Sequence, residues 1–176
     1  MIGICGRLRE SVRTLFAFVC VACLILSLGA PRLIAKSRAK IFAQKLVETA
    51  VAKHPELSGV ELSATPPGGH KCLTIASTET EDLLPGGRRA VIGEKCDEDE
   101  FAAMRTGRPF AEKEEDGFDV TVPLHDATGK LIGAVGMGFK PEPGQQEPGV
   151  IERAIQITRE LEKQIPSKAA LFQPVD

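Results

Sequence analysis

Hydrophobic residues recur along the chain with two different periods, which predicts an α+β fold. A helical period of about 3.6 residues runs from Arg38 to His54 and again from Val150 to Ile165, and each run is followed by proline. Between these helices, apolar and polar residues alternate as they do in strands, over residues 59–64, 71–77, 118–124 and 130–139. We expect an antiparallel sheet with a long N-terminal helix and a C-terminal helix.

The middle of the chain predicts a long connection and one short helix. Residues 78–95 are polar and contain Pro85-Gly86-Gly87, which favours a connection with one short strand at 90–92. The run DEDEFAAMR from Asp97 to Arg105 places acids in the first turn of a helix, and Gly107 is available as its C-cap. Further on, Asp126-Ala-Thr-Gly129 is a turn sequence that predicts a hairpin between the last two strands.

The last strand has one bulky side and one nearly bare side. Gly136, Gly138, Ala134 and Ile132 alternate with larger residues, and glycine weakens a strand unless something approaches closely. A packed helix and a bound ligand are the two candidates, and we expect packing.

The N-terminal segment is typical of a secretory signal or a signal anchor. Three arginines, at 7, 9 and 13, precede an uncharged run from Thr14 to Ala30. Cleavage and retention both remain open, and four basic residues after the run would favour an inward-facing domain if it is retained. We assign residues 1–37 to a signal peptide or N-terminal membrane anchor, 38–140 to the domain, 141–149 to a linker, 150–166 to the C-terminal helix and 167–176 to an extended tail.

Composition and charge exclude one class of partner. The chain contains no Trp and no Tyr, which are the usual platforms for stacking bases and sugars. From Ile41 onward, 23 acidic residues stand against 15 basic ones, and this charge repels a phosphate backbone. We therefore expect no nucleic-acid partner.

The cysteines support export. Cys72 and Cys96 are the two cysteines outside the N-terminal segment, an even number that is compatible with one disulfide in an oxidising compartment. Such a bridge is worth ~3 kcal/mol on the chain-entropy model. Two unrelated buried thiols are the alternative. We expect an exported protein, periplasmic or anchored to the inner membrane and facing the periplasm.

Catalytic motifs are absent from the sequence. His125 and Asp126 are neighbours on a strand, so their side chains point to opposite faces and are poorly placed to share a proton. His70 and Cys72 project to the same face, where an imidazole and a thiolate would suit zinc, copper or haem iron, but two ligands are too few for a closed site. We expect no enzyme, no catalytic residue, no metal site and no cofactor.

The order of elements resembles a Cache domain, an extracytoplasmic PAS-like sensor module. The resemblance covers residues 38–139 and is carried mainly by VTVPLHDATGKLIGAV, from Val120 to Val135. It implies a PAS-like antiparallel sheet that binds a small molecule without catalysis. The chain departs from the family in lacking the Tyr and Trp contacts of the amino-acid-binding subclass, and no HAMP, kinase or methyl-accepting segment follows. We expect a stand-alone sensor or accessory module.

The resemblance also implies a place for the ligand, in the variable middle segment. Four arginines flank that segment, and guanidinium groups are natural partners of a carboxylate-bearing metabolite. We interpret Arg88 and Arg89 as solvated surface residues. The candidate ligand-binding residues are Arg105, Arg108, Thr121 and His125. Two alternatives remain open: an envelope protein-interaction module that forms a homodimer or binds a partner, and a metal or haem carrier.

Overall fold

Helices and strands alternate as the two periods predict. We describe a computed structural model, which covers residues 40–78, 80–83, 87–90, 92–115 and 117–175. Along the chain the elements are α1 (Phe42–Lys53), β1 (Leu57–Ala64), β2 (Leu73–Ser77), β3 (Thr80–Leu83), β4 (Gly87–Ala90), α2 (Glu98–Thr106), β5 (Phe110–Glu114), β6 (Gly117–His125), β7 (Leu131–Phe139), α3 (Glu147–Glu162) and a 3₁₀ helix (Lys168–Phe172). The prediction of an α+β fold is confirmed.

Five strands form one antiparallel sheet in the order β2-β1-β7-β6-β5, and β3 pairs with β4 in a second, two-stranded sheet. β1 pairs with β2 in the antiparallel sense, and the predicted β6–β7 hairpin is confirmed. Asp126 closes the hairpin turn, because its carboxylate accepts hydrogen bonds from the Thr128 and Lys130 N–H groups. The Thr128 hydroxyl also donates to this carboxylate and lowers the pKa of Asp126.

One face of the sheet packs against α1 and α3, and we call it the core face. Val60, Leu62 and Ala64 alternate onto this face from β1 and belong to one apolar cluster with the buried sides of both helices. The helical residues in that cluster include Leu46, Val47, Ala154, Ile157 and Leu161. Fully burying one aliphatic side chain contributes roughly 1.5–3 kcal/mol, so this face supplies most of the apolar stabilisation.

The opposite face of the sheet is polar, and we call it the α2 face. Glu61 and Ser63 alternate onto it from β1, and Gly136 and Ala134 lie beside them on β7. Helix α2 packs over β6 and β7. A Cβ added at Gly136 would lie 3.0 Å from Cγ of Glu61, and one added at Gly138 would lie 2.4 Å from Oγ of Ser58, so side chains of β1, and not a helix, occupy the space beside these two glycines.

Gly133 on β7 lies against the backbone of β1, and these two strands stay in register there. The register of β1 against β2 shifts between Leu62 and Ser63. A Cβ added at Gly133 would lie 2.1 Å from the Ser63 carbonyl oxygen, so glycine is required there.

Strand β5 has no counterpart in the sequence prediction. Its residues, FAEKE, are exposed except for the half-buried Ala111, so the strand shows no alternation of burial. It lies at the edge of the sheet and pairs with β6. Charged side chains on an edge strand oppose pairing with other chains, and the same charges hide the strand from a search for hydrophobic periodicity.

The end of the chain differs from the prediction. Helix α3 begins at Glu147, inside the segment assigned to a linker, and ends at Glu162. The extended tail predicted for 167–176 is wrong for the described residues, because 168–172 form a 3₁₀ helix whose Leu171 is fully buried. Backbone hydrogen bonds then tie this segment to the start of α1, from the Phe42 N–H to the Gln173 oxygen and from the Val175 N–H to the Lys40 oxygen.

Two further predictions fall partly or wholly outside the described residues. The strand expected at 90–92 is not found as such: β4 ends at Ala90, Ile92 lies in a turn, and Val91 is outside the described residues. The apolar run 14–30 and the side chains of Arg88 and Arg89 also lie outside them. Among the helices that the structure describes, none has the length and apolar character needed to cross a bilayer.

Candidate functional site

An open cleft of about 620 Å³ lies between α2 and the segments that precede β2 and α2. We call it the cationic cleft, and its described lining is Thr65, His70, Lys71, Cys72, Lys95, Cys96, Phe101, Met104 and Arg105. It is the place where the middle segment of the chain meets the end of β1.

A disulfide forms one wall of the cationic cleft. Cys72 and Cys96 are bridged with a Cα–Cα distance of 5.4 Å, which confirms the predicted pairing. The backbone reinforces the bridge, because the Cys96 N–H donates to the Cys72 oxygen and the Thr74 N–H donates to the Glu94 oxygen. While the bridge is intact, Cys72 has no thiolate to offer a metal beside His70.

Helix α2 forms the opposite wall, and its ends are well defined. Asp97 is the N-cap, and its side chain accepts the N–H groups of Asp99 and Glu100. Gly107 ends the helix in the left-handed conformation, at φ 67°, which glycine adopts without a steric penalty because it has no Cβ. Helix α2 contributes three side chains to the cleft: Phe101, Met104 and Arg105.

The charge of the cleft is opposite to that of the domain. Four of its described lining residues are basic or histidine: His70, Lys71, Lys95 and Arg105. None of the described lining residues is acidic. Within the described part of the chain, none of these four forms a salt bridge. Cations beside low-dielectric walls focus their field on the space between them, so we expect the cleft to attract anions.

The remaining lining is apolar. Phe101 is 49% exposed although it is a large aromatic residue, and Met104 is half-buried next to it on α2. Together with the disulfide they offer a hydrophobic surface inside a rim of cations. An apolar surface with a few convergent polar groups is the usual composition of a small-molecule site.

The structure brings one of the four predicted ligand residues into the cleft. Arg105 lines it, whereas Arg108 is exposed beyond the end of α2 and is not part of the lining. Thr121 is half-buried on β6 between Phe110 and Gly136.

His125 is engaged elsewhere, at the end of β6. Its Nδ1 lies 2.9 Å from Oε1 of Glu162, and its backbone N–H donates to the same oxygen at 2.8 Å. Because an ionised carboxylate can only accept a hydrogen bond, the imidazole donates this one from Nδ1. His125 therefore fastens the sheet to the last turn of α3.

Sequence reasoning missed the two lysines of the cleft. Lys71 directly precedes Cys72, and Lys95 directly precedes Cys96, so the pairing of the cysteines brings the lysines to one place as well. The repeated Lys-Cys pair was the available signal. It has meaning only once the disulfide is assumed.

Glu100, in the first turn of α2, is a buried carboxyl on the α2 face. It is 3% exposed. Its Oε2 accepts the Asp97 N–H at 2.8 Å and completes a capping box, while Oε1 has no hydrogen-bond partner among the described residues. Burial raises the pKa of Glu100 and outweighs the opposing effects of the Ser63 hydroxyl and the Asp97 backbone.

Comparisons with known proteins give a likeness in fold. No protein-family model matches the chain, and no curated protein matches it either. Solved structures do match: the GAF domain of a two-component sensor histidine kinase from Bacillus halodurans is 11% identical with a TM-score of 0.46, over 69% of this chain and 91% of that one. The blue-light absorbing form of the PixJ GAF domain from Thermosynechococcus elongatus is 20% identical with a TM-score of 0.43, over 69% and 86%.

An enzyme is among the similar structures as well. The type II free methionine-R-sulfoxide reductase from Thermoplasma acidophilum is 12% identical with a TM-score of 0.43, over 69% of this chain and 90% of that one. At these values the likeness concerns the general fold. The resemblance to Cache domains stays a prediction.

Proposed function

We propose that this chain is a small-molecule-binding sensor or accessory domain without catalytic activity, and that the cationic cleft is its binding site. The observation that carries the proposal is the set of three cations and one histidine without a described acidic neighbour in the lining, together with the apolar surfaces of Phe101, Met104 and the disulfide. A ligand that suits this lining combines an apolar body with a carboxylate. The guanidinium of Arg105 is the natural partner of that carboxylate, since it can form two parallel hydrogen bonds.

The proposal includes export to the periplasm, with the domain either released or anchored to the inner membrane. The basic and apolar order of the first thirty residues supports it. The Cys72–Cys96 bridge supports it as well, because disulfides persist in oxidising compartments. Cell fractionation of the full chain tests this part, and recovery of the protein in the cytoplasm with both thiols free would contradict it.

Thermal unfolding of the full chain in mild detergent tests the binding site. Benzoate and hexanoate are the probes, and benzamide and hexanamide are their uncharged counterparts. Because the chain has no Trp or Tyr, unfolding is followed by far-ultraviolet circular dichroism. A ligand at a hundred times its Kd adds ~2.7 kcal/mol of stability, which raises Tm by several degrees for a domain of this size.

We expect the carboxylates to raise Tm more than the amides do, and Arg105→Gln to remove the difference. Arg159→Gln is the matched control, since Arg159 is an exposed arginine on α3 outside the cleft. Equal behaviour of acids and amides, or no shift with any probe, would sink the proposal and favour a protein-interaction module.

A further inference from the structure

The disulfide of the cationic cleft stands in an unusual electrostatic setting. A structural bridge in an apolar core has no charged neighbours, but this one shares a cleft with Lys71, Lys95, His70 and Arg105. In the sequence, Cys96 is followed by four acids, which would disfavour a thiolate. In space, Lys71, Lys95 and Arg105 line the same cleft as the two cysteines, so cations as well as these acids lie near the bridge.

The cleft also gives a route to the sulfur atoms. Each cysteine keeps less than a tenth of its surface exposed, at 8% for Cys72 and 7% for Cys96, and both are part of the cleft lining. A small reagent that enters the cleft therefore meets the bridge.

We propose that the cationic cleft is a thiol–disulfide exchange site that selects small carboxylate-bearing thiols and delivers them to the Cys72–Cys96 bridge. The carboxylate is held by the cations, and the thiolate of the same molecule lies against the disulfide. The modification is stoichiometric, and it uses the same cleft as the proposed ligand but requires no stable complex.

The exchange is balanced in two steps. The thiolate of the first molecule attacks one sulfur of the bridge, the S–S bond breaks, and the other cysteine leaves as a thiolate and takes a proton from water. The thiolate of a second molecule attacks the mixed disulfide and releases the second cysteine. Two thiols are thereby oxidised to one small disulfide, while the bridge is reduced to two cysteine thiols.

The cations act on both partners of this reaction. They raise the local concentration of an anionic thiol, an effect that is strong at low ionic strength and is screened by salt. Lys71 and Lys95 also stabilise the cysteine thiolate that leaves, because a nearby ammonium lowers the pKa of a thiol. The first effect distinguishes anionic from neutral thiols, whereas the second speeds both.

The test compares three thiols of different charge on the full chain: mercaptoacetate, 2-mercaptoethanol and cysteamine. Reduction of the bridge is followed by acid quenching, alkylation and mass spectrometry of the peptides that contain Cys72 and Cys96, because three other cysteines are present. Each rate is expressed per thiolate and divided by the rate with hydroxyethyl disulfide, which removes differences in intrinsic nucleophilicity.

We expect mercaptoacetate to be favoured over 2-mercaptoethanol by about fivefold or more at low salt, cysteamine to be disfavoured, and the order to collapse towards unity at high salt. Lys95→Gln and Arg105→Gln should each reduce the preference, and Arg159→Gln should leave it unchanged. Equal normalised rates for the three thiols would overturn the proposal. So would a bridge that resists all three until the protein is unfolded in urea.

This experiment and the thermal test fail independently. If the exchange rate depends on the charge of the thiol but benzoate does not raise Tm, the exchange site is supported and a stable carboxylate complex is contradicted. If benzoate raises Tm but the three exchange rates are equal, the stable complex is supported and the exchange site is contradicted.

Discussion

Leu62 and Ser63 are neighbours on β1, yet they face different environments. Leu62 belongs to the apolar cluster between the sheet, α1 and α3, whereas Ser63 faces α2 and contacts the hydroxyl of Thr74 at 3.4 Å. The core face consists of close-packed aliphatic residues, and the α2 face combines small residues, hydroxyls and the buried carboxyl of Glu100. Stability is concentrated on the first face, and the charged cleft is built beside the second.

Leu62→Ala should have the largest effect. Its side chain is fully buried, and shortening it leaves a cavity in the core face, which costs about 2–5 kcal/mol. Urea unfolding followed by circular dichroism measures the change. Ser63→Ala is the control from the opposite face, and an equal loss in both variants would contradict the division between the faces.

Replacing both cysteines, as Cys72→Ser with Cys96→Ser, should cost ~3 kcal/mol, because the bridge closes a loop with a sequence separation of 24 residues. Urea unfolding of the variant measures it, with the reduced wild-type chain for comparison. The free energies of unfolding of the reduced wild type and of the variant should agree. A cost below ~0.5 kcal/mol in both would show that the backbone bonds around residues 72–74 and 93–96 hold the cleft wall without the bridge.

Glu100→Gln should stabilise the protein at neutral pH, because it removes a charge whose burial is unfavourable. The folded pKa of Glu100 is raised above its ordinary value of 4.5, so ionisation destabilises the fold as pH rises from that value through the folded pKa. Glutamine keeps the capping bond and removes the charge. The gain in Tm should therefore disappear as the pH falls below about 4.5, and a gain that does not depend on pH would refute this account.

Asp97→Ala should have the smallest effect, about 0.5–2 kcal/mol, because it removes the side-chain cap of α2. Asp97→Asn is the matched variant, since asparagine also caps helices well and should restore most of the loss. Hydrogen exchange of the α2 amides measures the local effect. Unchanged protection of α2 in the alanine variant would show that packing on the sheet, and not the cap, fixes the helix.

The sequence predicts the core face well because burial there imposes a period on each element. The apolar stripes of α1 and α3 and the alternation in β6 and β7 are direct records of what those elements pack against. β5 was missed because an exposed edge strand leaves no such record. The 3₁₀ segment was missed because Leu171 is its one buried residue, and a single buried position gives no period.

The site was predicted less completely, for a related reason. Arg105 was identified from its charge beside the variable middle segment, where the resemblance places the ligand, and the disulfide from the even number of cysteines. His125 looked available because its partner Glu162 lies 37 residues away in the sequence, and nothing local indicates that pair. The burial of Glu100 was hidden too, since acids in the first turn of a helix are usually exposed.

The closing segment has a consequence for how the chain can be rearranged. Residues 40 and 175 are joined by a backbone hydrogen bond of 2.7 Å, so the two ends of the described domain lie side by side. A short linker between them would close the polypeptide into a ring without moving α1. New termini could then be opened in the exposed turn at residues 127–129, which would give a circular permutant with the same sheet.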